Sequence, residues 1–300
     1  YPCAGCILEN SIGEGPMFLN EMNATYHENL IMSGKILGSI CVGCAAGNGI
    51  NLNPRKPGIN YTPQNILIEN VAIVDHKAES PAIRASNVVN LVVQNVTVSG
   101  AGGPTGISLD DVGEGAAANQ LSATVRDTVA MKFNSTGFNQ EAGTYNSLTT
   151  SNLYSYDNGT AARGNWGNVS TGDPGMGSCK VFIPDGSPLK GKGANGTDIG
   201  ANVLCRYENG VLTQQQLWNW QTGQFPCGAI VHGVNDIAGD SCADVHKRLN
   251  VNTNGCNLPA TPSCKQPAPP NFPPIPIGGG GSGLPPILKG PNGEVCPSGF

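Results

Sequence analysis

Charge is scarce in this sequence. Asp, Glu, Lys and Arg make up 12% of its 300 residues, about half the usual share of a soluble domain. With 16 basic against 21 acidic side chains the net charge is −5, which argues against nucleic acid as a partner, since phosphate binding needs clustered Lys and Arg. No run approaches the ~18 apolar residues of a membrane span, so no membrane-crossing helix is expected. The 4 His, at positions 27, 76, 232 and 246, are scattered without metal-ligand spacing, and no metal centre is read from them. There is no secretory signal before Tyr1-Pro2-Cys3, an opening that reads as a processed product or a fragment.

Cysteine, by contrast, is plentiful, with 11 residues. Cys3-x-x-Cys6 and Cys41-x-x-Cys44 have the spacing of a zinc or redox site, but also that of short-range disulfides. Disulfides are the expectation, because Cys179, Cys205, Cys227, Cys242, Cys256 and Cys264 resemble three further bridges of unassigned connectivity. Cys296 stands alone and is the candidate for a distant or intermolecular thiol. Seven Asn-x-Ser/Thr sequons begin at Asn23, Asn60, Asn95, Asn134, Asn158, Asn168 and Asn195. Together these features predict an extracellular or cell-surface protein that is disulfide-bonded and open to N-glycosylation.

A weak internal repeat carries the fold. Ile66-Leu-Ile-Glu-Asn-Val-Ala-Ile-Val74 and Leu91-Val-Val-Gln-Asn-Val-Thr-Val98 share an apolar stretch, a polar residue, an Asn and a second alternating stretch. Fainter copies place the anchor at Asn10, Asn29, Asp127 and Asn152, besides Asn70 and Asn95. Stacked short strands explain both the recurrence and its uneven spacing, since extra residues leave as loops at the corners. An Asn at a corner tolerates left-handed backbone and can bond to the Asn of the next turn. The pattern predicts an all-β chain with a parallel β-helix solenoid over residues 1–157, against an antiparallel sandwich as the alternative.

The repeat stops after Asp157. Residues 158–258 read as a loop-rich, disulfide-bonded cap over the end of the solenoid, with a hairpin turning at Glu208-Asn209-Gly210. Trp218 and Trp220 would plug that end, and Asp240 to Leu249 reads as a short helix. Residues 259–300 form an extended Pro/Gly-rich tail, polyproline-like from Pro267 to Pro276.

The run from Gly193 through Ile199 to Thr213, followed by Leu217-Trp-Asn-Trp220, resembles a segment found after the coils in secreted bacterial right-handed parallel β-helix proteins of pectate-lyase-like fold. The resemblance covers roughly residues 60–250 and implies a right-handed solenoid, not an activity. The chain departs from it at Gln221–Cys227 and in its tail. It also lacks the Asn-Thr-Asp, Gly-His-Gly and Arg-Ile-Lys set of polygalacturonase-type hydrolases.

Candidate chemistry is thin. The densest carboxylates are Asp110, Asp111 and Glu114, with Asp75, His76 and Lys77 at a matching corner and Arg84 and Lys132 within reach. Asp110, Asp111 and Lys132 are the weak catalytic candidates of a lyase or hydrolase, and a calcium site is the other use of such a cluster. Tyr154, Tyr156 and Trp166 are the candidates for stacking on sugar rings, with Trp218 and Trp220 as further ones if they do not plug the end. The leading expectation is a structural subunit of an extracellular filament or surface assembly, self-associating head to tail through its C-terminal tail rather than acting as an enzyme. Two alternatives stand beside it: a secreted polysaccharide lyase or glycoside hydrolase, and a carbohydrate-binding or adhesion module holding bound glycans. A tail that leaves its own subunit favours the filament, and a tail folded back along its own strands removes that argument.

Overall fold

A computed structural model describes residues 5–13, 33–44, 47–52, 63–110, 121–141, 147–177, 179–219, 231–232, 264–270 and 272. Its chain divides into Tyr1–Pro270 and Asn271–Phe300, and the described strands belong to the first unit. The protein is all-β, with one short 3-10 turn at Ala194–Gly196 among the described residues.

The strands make three parallel strips. The first holds β1 (Cys6–Glu9), β3 (Gly34–Leu37), β6 (Gln64–Glu69) and the leading part of β9 (Val89–Gly100). It continues through the leading parts of β11 (Ser122–Met131) and β13 (Ser147–Tyr156). The second strip holds β2 (Ile12–Gly13), β4 (Ile40–Val42), β7 (Ala72–His76), the trailing parts of β9, β11 and β13, and β15 (Val169–Thr171). The third is a separate sheet of β5 (Ile50–Leu52), β8 (Ile83–Ser86), β10 (Thr105–Asp110), β12 (Thr136–Gln140) and β14 (Thr160–Arg163). From β3 to β14 the described strands follow the order first, second, third strip, and parallel pairing extends beyond Asp157, into β14 and β15. At the other end β18 (Val231–His232) pairs with β2 and lengthens the second strip. The predicted hairpin is present as antiparallel β16 (Cys205–Glu208) and β17 (Val211–Gln216), turning through Asn209 and Gly210 at φ 52° and 80°.

Alternation sets the core. Ile66 and Ile68, Leu91 and Val93, and Ala123 and Val125 point inward from the first strip, where they meet Ile73 and Val98 from the second and Ile83, Ile107 and Phe138 from the third. Trp166, between the terminal strands β14 and β15, is buried in this core beside Phe138, with ring centroids 5.2 Å apart. The sugar-stacking role expected of Trp166 is therefore corrected: its ring is interior.

The second strip is apolar on both faces. Its outward Ile12, Ile40, Ala72 and Val74 lie under Val181, Phe182, Val203, Leu204 and Trp218. Its outward Val129 and Met131 lie under Met176, Ile183, Leu189 and Ile199, with the half-buried Tyr154 and Tyr156 alongside. The described part of the expected cap is thus a lateral cover spanning successive passes, not a plug over one end. Two apolar faces require two layers of cover, which a cap across the end would not supply. Trp218 belongs to this cover, its Nε1 donating to the Val203 carbonyl at 2.6 Å, while Trp220 and residues 240–249 lie outside the described residues.

Candidate functional site

Between the first and second strips, every pass turns on one residue with left-handed backbone. These residues are Asn10, Gly38, Asn70, Asn95, Asp127 and Asn152, with φ between 50° and 56°. The register stacks them into one ladder. Five of the six sequence anchors stand on it. The remaining rung is Gly38 rather than Asn29, which lies outside the described residues. Glycine meets the same demand for positive φ without a side chain. A Cβ at Gly38 would lie 2.6 Å from the Tyr207 ring.

The ladder was expected to bond rung to rung, and Asn152 does so, its Nδ2 donating to Asp127 Oδ1 at 2.7 Å. Four rungs, Asn10, Asn70, Asn95 and Asp127, hold a strap, residues 193–207, that crosses the strands. Asn70 Oδ1 accepts the Asn202 amide at 2.6 Å while its Nδ2 donates to the Asn202 carbonyl at 2.9 Å. Asn10 grips Tyr207 in the same way, at 2.8 and 2.7 Å. Asn95 Nδ2 donates to the Asp198 carbonyl at 2.8 Å, and Asp127 Oδ1 accepts the Ala194 amide at 3.0 Å. Asn70 and Asn10 each offer the strap the donor and acceptor pattern of a strand edge, so a chain running across the sheet satisfies its backbone there. Gly200, at φ 110°, is where the strap comes closest: a Cβ there would meet Ile183, Thr97 and Val129 within 3.1 Å.

One residue before the ladder runs a column of polar side chains, Glu69, Gln94 and Arg126. Glu69 is buried and accepts a hydrogen bond from the Tyr207 hydroxyl at 2.8 Å and another from Gln94 Nε2. Arg126 donates to Gln94 Oε1 through Nε at 2.8 Å and Nη2 at 2.5 Å. Over this column lies the start of the tail, Cys264–Pro270, whose Ala268 carbonyl accepts from Arg126 Nη2 at 2.7 Å and Gln94 Nε2 at 3.1 Å. Cys264 is bonded to Cys205, and Lys265 Nζ donates to the Gly196 carbonyl at 2.7 Å. The tail therefore begins folded back on its own strands. A cavity of about 20 Å³ between tail and strap, lined by Asn70, Asn95, Asp198 and Asn202 among others, has room for a single water and none for a sugar ring.

Burial raises the Glu69 carboxyl above its ordinary 4.5, although the hydrogen bonds from Tyr207 and Gln94 and the charges of Lys35 and Arg126 pull the other way. Tyr207 is raised well above 10, by burial first and by the nearby Glu69 charge second. The folded protein thus keeps the Glu69 proton to higher pH than the unfolded chain, and in that window it binds more protons. Stability is accordingly greatest below 4.5 for this group and falls as pH rises through the folded value. Glu69→Gln is expected to remove this decline from a series of melting temperatures taken between mildly acidic and neutral pH. A variant that retained the full decline would locate it elsewhere.

The carboxylates singled out in sequence are divided. Asp110 is fully buried; Arg84 Nε donates to its Oδ2 at 2.7 Å and Ser86 to its Oδ1. Arg84 thus reaches it, but Lys132 does not share this corner. Lys132 is exposed just after β11, in the turn that leads into β12, whereas Asp110 ends a third-strip strand. Asp75 is paired with Lys180 at 2.5 Å, Lys77 is exposed, and His76 is fully buried with Nε2 2.7 Å from the Ser80 carbonyl. Burial lowers the His76 pKa. Asp111 and Glu114 lie outside the described residues, among which no group of three or more His, Cys, Asp or Glu could hold a metal. Cys41 and Cys44 are bonded to each other, which removes that pair from zinc ligation, and Cys179 is also disulfide-bonded. The side chains of Cys3, Cys6, Cys227, Cys242, Cys256 and Cys296 lie outside the description.

The sequons divide as well. Asn95 is 5% exposed and its Nδ2 holds the strap; Asn158 Nδ2 is shared between the Ala130 carbonyl and Ser155, both at 2.8 Å. Asn134, Asn168 and Asn195 are exposed, Asn134 with its Nδ2 on the Gly102 carbonyl at 3.0 Å. Asn23 and Asn60 lie outside the described residues. Glycopeptide mapping of secreted protein is expected to find sugar at Asn168 and Asn195 and none at Asn95. A fully occupied Asn95 would contradict the strap.

Sequence reasoning passed over Tyr207 and the roles of Gln94 and Arg126. The signal for the last two was present, because a polar residue precedes the Asn in each copy of the repeat. A comparison with protein-family models, with curated proteins and with solved structures finds no match to this chain.

Proposed function

We propose that the three strips wind as a right-handed parallel β-helix, like the secreted pectate-lyase-like proteins the sequence resembles, and that the chain is a structural subunit of an extracellular filament or surface assembly growing end to end. One observation carries this reading. The last strands end in edges to which no strand among the described residues pairs, and on which Ser147, Thr149, Ser151, Thr160, Arg163, Ser170 and Thr171 are exposed. Arg163 is the one charge on those edge strands, and neither Pro nor Lys interrupts them. Such edges are templates for another strand unless charge, proline or a bulge blocks them. At the opposite end, β2 already accepts β18 by parallel pairing, so that end takes added strands. The disulfides suit an oxidising compartment. The described start of the tail lends nothing to the filament reading, because it lies on its own subunit. The enzyme alternative is weaker, since Asp110 is fully buried and its carboxylate is taken up by Arg84 and Ser86.

Electron microscopy of native material at neutral pH, without reductant, tests the proposal. Seven second-strip strands from β2 to β15 at ~4.8 Å spacing predict fibres with an axial repeat of roughly 34 Å or more. Dispersed particles at every concentration would overturn it, and a screen of acidic polysaccharides for unsaturated products would follow.

A further inference from the structure

We infer that the Cys264–Pro270 segment is a redox-sensitive latch, closed over Gln94 and Arg126 by the Cys205–Cys264 disulfide and released when a dithiol reductant opens that bond. The latch works within one chain, whether or not chains assemble. Because the residues after Pro270 are joined to the strand body through this segment, the bond sets where their tether begins.

The two halves of the clasp are held unequally. Cys205 stands on the strap, where Asn70 grips Asn202 and Asn10 grips Tyr207, and it pairs with Gln216 in the hairpin. Cys264 opens a segment with no ladder of its own. Among the described residues, none of the segment's main-chain N–H groups donates to a main-chain carbonyl, and Pro267, Pro269 and Pro270 have no N–H to give. Its polar hold runs mostly through its carbonyls. Gln214 Nε2 donates to that of Cys264 at 3.0 Å, Gln94 Nε2 and Arg126 Nη2 converge on that of Ala268, and Arg126 Nη2 reaches that of Pro269 at 3.4 Å. Lys265 adds one bond from its side chain, to the Gly196 carbonyl. Lys265, Gln266 and Pro269 are exposed, and only Cys264 and Pro267 are buried. Hydrogen bonds exchanged against water gain little each, whereas every residue fixed loses backbone freedom, so the disulfide decides whether the segment stays.

What lies beneath does not depend on the latch. With the segment gone, Glu69 still accepts from Tyr207 and Gln94, Gln94 Oε1 still accepts from Arg126, and the strap keeps its rungs. The disulfides also differ in access. Cys41 and Cys44 are 0% exposed, inside the core with Ile36, Ile50 and Val71, and are reached only by unfolding it. Cys264 is 7% exposed and followed by Lys265 and Gln266 in solvent, so fraying of the segment bares its Sγ. Opening is ordinary thiol–disulfide exchange. A reductant thiolate attacks Cys264 Sγ, and Cys205 leaves as a thiolate that takes up a proton. The second reductant thiol then resolves the mixed disulfide and frees Cys264, which is protonated in turn. Two electrons and two protons pass to the protein, and the reductant ends as a disulfide.

Partial reduction of the full-length protein with dithiothreitol at neutral pH, followed by alkylation and peptide mapping, tests this. Cys205 and Cys264 are expected to be labelled at least about tenfold faster than Cys41 and Cys44, with the circular dichroism unchanged. After alkylation, trypsin is expected to cut behind Lys265 at least about tenfold faster than in the oxidised protein. A full-length variant carrying Cys205→Ser with Cys264→Ser should show the fast cut without any reductant. Labelling of both pairs in one step, with loss of the circular dichroism, would overturn the latch and make the bond part of the global fold. A cut behind Lys265 that stays slow after reduction would overturn it as well, because the carbonyl contacts would then hold the segment unaided. Should the double variant fail to fold, the reduction series on the native chain still decides between these outcomes.

Discussion

Asn70→Ala is expected to lower the melting temperature by roughly 10 °C. Asn70 is 4% exposed, and its amide satisfies both the N–H and the carbonyl of Asn202. Leaving either group unpaired costs about 1–3 kcal/mol. Alanine must also adopt φ near 56°, a further penalty of about 1–2 kcal/mol. The sum is about 2–5 kcal/mol, and a domain of this size loses about 2–4 °C per kcal/mol. Asn70→Gly restores the backbone but not the bonds and should recover part of the loss. Asn70→Asp keeps the acceptor, as Asp127 does on its own rung, and should recover more. Calorimetry of the three variants decides the matter: if Asn70→Ala melts within about 2 °C of the parent, the strap is not held by the ladder.

The second large effect concerns assembly. Thr149→Lys, Thr160→Lys and Thr171→Lys together are expected to convert fibres into dispersed subunits. All three residues are exposed on the terminal strands. A lysine row on an edge repels the next row and is a common natural block to edge pairing. Exposed substitutions of this kind change folding stability by only about 0.5 kcal/mol each, so loss of fibres would not reflect unfolding. Val211→Lys, on the hairpin and 60% exposed, is the matching control and should leave fibres intact. Sedimentation velocity and microscopy on the triple variant provide the readout. Unchanged fibres would mean that growth uses another surface.

Much of the strand order was legible because alternation and a turning Asn recur together. The two faces of the second strip were legible too: Val71-Ala-Ile-Val74 and Val129-Ala-Met131 are continuous apolar runs, the mark of a strand covered on both sides. The lateral cover was nevertheless read as an end cap, because nothing local indicates which face a distant segment will choose. The Gly38 rung escaped notice since glycine fits the corner without repeating the anchor. Trp166 sat among Gly and Asn and read as an exposed loop residue, whereas the pass that includes β14 and β15 carries it inside. Least legible was the strap, whose bonds join residues 132 and 197 positions apart. Periodicity reports neighbours in the repeat, and the strap is not part of the repeat.

The strap also acts as a ruler. It spends four residues between the Asn95 and Asn70 rungs, from Asp198 to Asn202, and five more to reach Tyr207 at the Asn10 rung. Deleting one pass, or adding one, would leave every later strap residue opposite the wrong rung. Repeat proteins usually change length freely, one unit at a time. Here a change in the number of passes survives only with a matching change in the strap, so the two must be gained or lost as a pair.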